Sequence, residues 1–155
     1  MSSESPLRGL WGRLDPQLQE ALALAYDQAR REGKDRISTR LFFAAVARLR
    51  PGALAALLDL LPEGALPGPI AAEAPREGRP TQEALLSPCV EGALLRLSRG
   101  AAPGHKLSAT EVFVEVAKRG TGASVAQLRE HGVTEEEIDR LARQAGPDAA
   151  PKAPA

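Results

Sequence analysis

Apolar residues recur along this chain at the three- and four-residue spacing of helices, and proline, glycine and polar clusters cut the pattern into short pieces. Leu7, Leu10 and Trp11 make a single-turn lead-in. Asp15-Pro16 predicts a helix start, because Asp caps a first turn and Pro is favoured at the first helical position. Leu18, Ala21, Leu22, Ala25, Tyr26 and Ala29 then form one face, and Gly33 is the stop. Ser38-Thr39 predicts a second helix with Leu41, Phe42, Ala45, Val46 and Leu49 buried, broken at Pro51-Gly52. A third, short helix carries Leu54, Leu57, Leu58 and Leu61.

The pattern then lapses and resumes. Residues 62–80 hold Pro62, Pro67, Pro69, Pro75 and Pro80 among Gly64, Gly68 and Gly78, a composition that opposes helix and reads as a linker. Thr81 is expected to cap a short helix ending at Leu86. Ser87-Pro88 predicts a long helix with Val90, Ala93, Leu94 and Leu97 on one face, interrupted from Gly100 to Gly104. Ser108 precedes a helix carrying Val112, Phe113, Val116 and Ala117, broken by Gly120 and Gly122, and Val125 and Leu128 mark a short one. Thr134 and Glu137 read as a capping box, with Val133 and Ile138 as its hydrophobic staple, before a last helix to about Ala145. The Ala/Pro tail, residues 146–155, is expected to be disordered.

Composition agrees with an all-α fold. Apolar residues make up 43% of the 155, nearly all Ala, Leu and Val, and aromatics only 3%, so the core is aliphatic and built from strong helix formers. Lys plus Arg and Asp plus Glu are both 20, a neutral balance without the basic excess of a typical nucleic-acid binder. The run Arg30, Arg31, Lys34 and Arg36 leaves room for a local basic patch but fits better a solvated helix end, where cations complement the dipole. The single Cys89 excludes an internal disulfide. No apolar run reaches the ~20 residues of a membrane span, and Met1 to Pro6 lacks the apolar segment of a secretion signal, so the expected location is cytoplasmic and no membrane partner is expected.

The order of elements repeats. Aligning Asp15-Pro16 with Ser87-Pro88 at an offset of about 72 residues pairs Leu14, Ala21, Leu22 and Ala29 with Leu86, Ala93, Leu94 and Ala101. Aligning Ile37-Ser38 with Leu107-Ser108 at an offset of about 70 pairs Phe43, Val46, Ala47, Gly52, Ala53, Ala56 and Leu58 with Phe113, Val116, Ala117, Gly122, Ala123, Ala126 and Leu128. The division expected is a lead-in at 1–13, a first unit at 14–61, the linker at 62–80, a second unit at 81–145 and the tail.

This unit resembles the repeat at the N-terminus of the Clp chaperone ATPases. There, Leu-Thr/Ser-Pro opens a long Ala/Leu helix. A Gly, a Val/Ile-Gly-Thr-Glu-His-Leu-Leu segment, a Gly-led short helix and Gly-Val-Asp follow. The first copy here reads Leu14-Asp15-Pro16, Gly33, Ile37-Ser38-Thr39-Arg40-Leu41-Phe42-Phe43 and Gly52. The second reads Leu86-Ser87-Pro88, Leu107-Ser108-Ala109-Thr110-Glu111-Val112-Phe113, Gly122 and Gly132-Val133-Thr134. The likeness covers about residues 10–145. It implies two tandem repeats related by pseudo-twofold symmetry in a compact Clp N-terminal-like bundle, binding substrate or adaptor proteins. Two departures matter. The family's Glu-His pair, whose Glu helps some members bind phosphorylated arginine, falls on Arg40-Leu41 and on Thr110-Glu111, so that activity is not carried over. The first copy also has Pro62 to Ile70 where a closing helix belongs.

Catalytic chemistry has little to build on. No Gly-x-x-x-x-Gly-Lys-Ser/Thr phosphate loop occurs in these residues, so ATP hydrolysis of the kind those chaperones perform is not expected of them. His105 and His131 sit at turns, and Cys89 at a helix start has no evident base or oxyanion site, so structural roles are expected for all three. No cofactor and no metal are expected, and the chain is not expected to be an enzyme. The expected function is protein binding: a Clp ATPase, an adaptor or a client protein, held for or in competition with a Clp chaperone or protease. Candidate contacts are Ser38, Thr39, Arg40, Ser108, Thr110 and Glu111, at helix starts whose free backbone donors suit an acidic or phosphorylated ligand. The same residues could do no more than cap their helices. The alternative is a helical regulator that binds nucleic acid, through short helices joined like a helix-turn-helix, or one dedicated partner.

Overall fold

A computed structural model describes residues 7–71 and 81–145. The expectations for Met1 to Pro6, for 72–80 and for the tail lie outside the described residues. Helix dominates. Helix α1 (Leu7–Leu10) runs into a 3-10 turn at Trp11–Arg13, and α2 spans Pro16–Arg31. The Asp15 carboxylate accepts from Leu18 N at 2.7 Å, the N-cap its sequence implies. At the other end Gly33 takes φ +77° and Lys34 N donates to Ala29 O at 2.8 Å, closing the last turn. A two-residue strand β1 (Arg36–Ile37) leads to α3 (Thr39–Leu49), where Ser38 Oγ accepts from Leu41 N. Helix α3 ends one residue before the expected Pro51-Gly52 break: Arg50 itself turns left-handed, at φ 48°. Helix α4 (Leu54–Leu60) closes the first half.

The second half opens differently from expectation. Thr81–Glu83 is only a 3-10 turn, and Leu85–Leu86 is strand β2 rather than the end of a helix. Six residues cannot repay helix nucleation by themselves, and the backbone does better in a ladder: Leu85 N donates to Asp35 O and Ser87 N to Ile37 O. Then come α5 (Pro88–Gly100), α6 (Ala109–Arg119), α7 (Ala123–Glu130) and α8 (Glu135–Ala145). The reciprocal capping box is at Ser108 and Glu111, on α6. At α8, Thr134 Oγ1 accepts from Glu137 N, but the Glu137 carboxylate turns to Arg140. Val133 and Ile138 are buried as a staple requires.

Packing follows the apolar stripes. Helix α2 lies on α3, and α5 on α6; across the molecule α2 touches α6, α3 touches α5, and α3 touches α6. Phe43 and Phe113 meet there with ring centroids 5.0 Å apart and planes at 49°. Helix α8 packs on α6 and on α4 of the first half. One continuous apolar core runs through both halves, from Leu7 to Leu141. Two parallel backbone pairings tie the halves together: Ile37 with Leu86 in the β1–β2 ladder, and Leu14 with Leu107 as a single bridge. The stretch after α4 is pinned, not loose, as far as Ala71. Ala65 and Ile70 are buried, and Gln127 Nε2 on α7 donates to Gly64 O and Leu66 O.

Candidate functional site

Each parallel pairing ends where two helices begin, so helix N-termini come together in pairs. Ile37 and Leu86 lie side by side, so Ser38 and Ser87 start α3 and α5 together, with Thr39 Oγ1 and Ser87 Oγ 3.4 Å apart. Leu14 and Leu107 do the same for Asp15 and Ser108, which start α2 and α6; Asp15 N donates to Leu107 O at 2.9 Å. Helix N-termini that start side by side bring their positive dipole ends together.

The two ends differ in charge. At the α2–α6 end the Asp15 carboxylate caps α2, and Glu111 closes the capping box on α6. Carboxylates therefore already occupy both dipoles. At the α3–α5 end the caps are neutral. Ser38 is used on Leu41 N, whereas Ser87 makes no side-chain cap bond. The first turn of α5 holds one acid, Glu91. Arg36 stands alongside, its Nη1 donating to Leu86 O at 2.9 Å.

The six residues singled out from sequence therefore have mostly internal partners. Ser38 and Ser108 cap. Thr39 faces Ser87. Arg40 pairs with Glu32 at 2.7 Å. Thr110 is 6% exposed and turned to the core, which removes it from any contact surface. Glu111 binds its own cap and His105 Nε2, at 2.9 and 3.1 Å. The fold brings Ser38 and Thr39 to the start of α5, and Ser108 to the start of α2; Arg40 turns to Glu32, and Glu111 stays with Ser108 and His105. Ser87 and Arg36 belong to the first group, and sequence reading missed them as site residues. The recurring Leu-Ser/Asp-Pro opening was the available signal.

The basic run at the end of α2 is interleaved with acids. Arg31 pairs with Asp27 at 2.9 Å, and Lys34 and Arg40 share Glu32. The Glu32 carboxyl is held below its ordinary range chiefly by the hydrogen bond from Gln28; partial burial opposes this, and Arg40 and Lys34 reinforce it. Cys89 Sγ donates to Thr121 O at 3.2 Å and accepts from Thr121 N, tying the start of α5 to the α6–α7 turn. His131 Nδ1 lies 2.9 Å from Gln127 O. Among the described residues no three His, Cys, Asp or Glu side chains gather as a metal site would require, and no single helix is long and apolar enough to cross a membrane.

No protein-family model matches the chain, and comparison with curated proteins finds no significant relative.

Proposed function

We propose that the chain is a non-enzymatic protein-binding module made of two copies of one helical unit, arranged like the N-terminal domain of Clp chaperone ATPases. One observation carries the reading. The residue pairs aligned from sequence exchange places across the molecule: Leu14 with Leu107 answers Leu86 with Ile37, and Asp15 N on Leu107 O answers Ser87 N on Ile37 O. Phe43 meets its own counterpart, Phe113, as residues beside a twofold axis do. Helix contacts obey the same exchange, α2 on α6 matching α5 on α3. Matched long-range pairings of this kind support duplication over chance likeness between Ala-rich helices.

The partner is a protein: a Clp ATPase, an adaptor, or a client delivered to or withheld from one. Its contact lies at the α3–α5 end, where Ser38, Thr39, Ser87 and Arg36 face an acidic or phosphorylated group without a capping carboxylate. Affinity capture with the full chain, followed by mass spectrometry and a parallel nucleic-acid assay, tests this. The reading expects a Clp component or a spread of unfolded clients, with recovery reduced several-fold by Arg36→Ala. Nucleic acid that survives a salt wash, with no protein recovered, would overturn it.

A further inference from the structure

The halves diverge after their third helix, and the divergence leaves a groove. In the second half α8 lies on α6, and Lys118 Nζ pairs with Asp139 Oδ1 at 2.8 Å. Val114, Ala117 and Lys118 stand at i, i+3 and i+4 on one face of α6, with Val114 and Ala117 fully covered. Their counterparts at the same offset are Ala44, Ala47 and Arg48 on α3. The chain after α4 forms no helix there. It runs past α7, held by Gln127, and then along α3 through Pro67 to Ile70. Ala44 is as covered as Val114, but one turn on the cover is partial: Ala47 is half-buried where Ala117 is sealed. A groove of about 380 Å³ remains between Ala44, Ala47 and Arg48 on one side and Pro67 to Ile70 on the other, within the size range of ligand-binding clefts.

We infer that this groove docks one amphipathic helix of a partner protein, whose buried face carries aliphatic residues at i, i+3 and i+4 and one acidic residue for Arg48. The molecule supplies the template. On the corresponding surface, α8 presents Ile138, Leu141 and Ala142, all buried, and Asp139 for Lys118. Arg48 is itself engaged in this structure, and a guanidinium has five donors to share. The inference rests on the correspondence of the two halves proposed above.

The probe is a stapled peptide of this chain's own sequence Glu135–Ala145, with the staple replacing Glu136 and Arg140, both exposed in α8. Stapling is needed because a helix this short is marginal in water. Fluorescence anisotropy against the full chain should give saturable binding, and amide shifts should centre on Ala44, Ala47 and Ile70. Arg48→Glu, an exposed change that leaves the core alone, should weaken binding at least tenfold. An Asp139→Lys peptide should recover most of that loss on the Arg48→Glu chain. No saturation at millimolar peptide would overturn the inference. So would binding indifferent to Arg48→Glu, shifts confined to Val114 and Ala117, or a dimer in sedimentation that already fills the groove. None of these results bears on capture through the α3–α5 end, so the two readings fail separately.

Discussion

Two serines in similar settings should behave unlike each other. Ser108 both accepts from Glu111 N and returns its own backbone N–H to the Glu111 carboxylate, so Ser108→Ala should cost about 1 kcal/mol. Ser87 occupies the same kind of position on α5 but makes no cap bond, so Ser87→Ala should change stability by no more than a few tenths of a kcal/mol. Urea unfolding of the two variants checks the contrast, and equal losses would mean that Ser87 caps after all. Glu32 provides a pH test. Its folded carboxyl titrates below the ordinary range, so its contribution is complete above the unfolded carboxylate's pKa and is lost as pH falls through the lower folded value. Gln28→Met removes the leading cause, and the Glu32 carboxyl resonance should then titrate closer to the ordinary carboxylate range. An unchanged inflection would assign the shift to Arg40 and Lys34.

At the scale of elements, Gly120 shows how tightly the α6–α7 corner is built. A methyl group there would lie 2.5 Å from Val116 O and 3.1 Å from Val125 Cγ2. Because the nearer atom is backbone, Gly120→Ala should destabilise by about 1–3 kcal/mol, read as a fall in urea midpoint at unchanged slope. The longer helices were legible because their signals are local, as in the cap, stripe and stop from Asp15 to Gly33 and from Ser108 to Gly120. Leu85–Leu86 was not. Two leucines after a Thr look like the end of a helical turn, and only the distant Asp35 and Ile37 make them a strand. The candidate site shares that opacity. Ser38 and Ser108 could be read as helix starts, but that Ser38 opens beside Ser87 depends on a parallel pairing between segments about 50 residues apart. The capping box forms elsewhere for a plainer reason: Ser108-x-x-Glu111 has the required letters, Thr134 and Glu137 have them too, but Arg140 claims the second glutamate.

At the scale of the whole molecule, the shared core makes the halves interdependent. Phe43 and Phe113 are fully buried against each other, and either change to Ala should cost about 3–5 kcal/mol. A double-mutant cycle should return a coupling of about 0.5–1.5 kcal/mol, the worth of a tilted aromatic pair. With one core, unfolding should be a single transition, coincident by far-UV circular dichroism and by fluorescence of Trp11, which packs on that core. Two separated transitions would mean that the units fold independently and only touch. The groove on α3 belongs to this scale as well. On the two-unit reading proposed above, it lies where a counterpart of α8 would pack, and the Pro-rich stretch signals the break in helix without indicating what surface it exposes.

Protein recognition is the central claim, and titration of the isotope-labelled full chain with a permanently unfolded protein, reduced and carboxymethylated casein, against duplex DNA in parallel tests it most directly. The account predicts saturable amide shifts with the unfolded protein, at the α3–α5 end or along the α3 groove, and none with DNA at physiological salt. Shifts with DNA alone, or with neither, would contradict it.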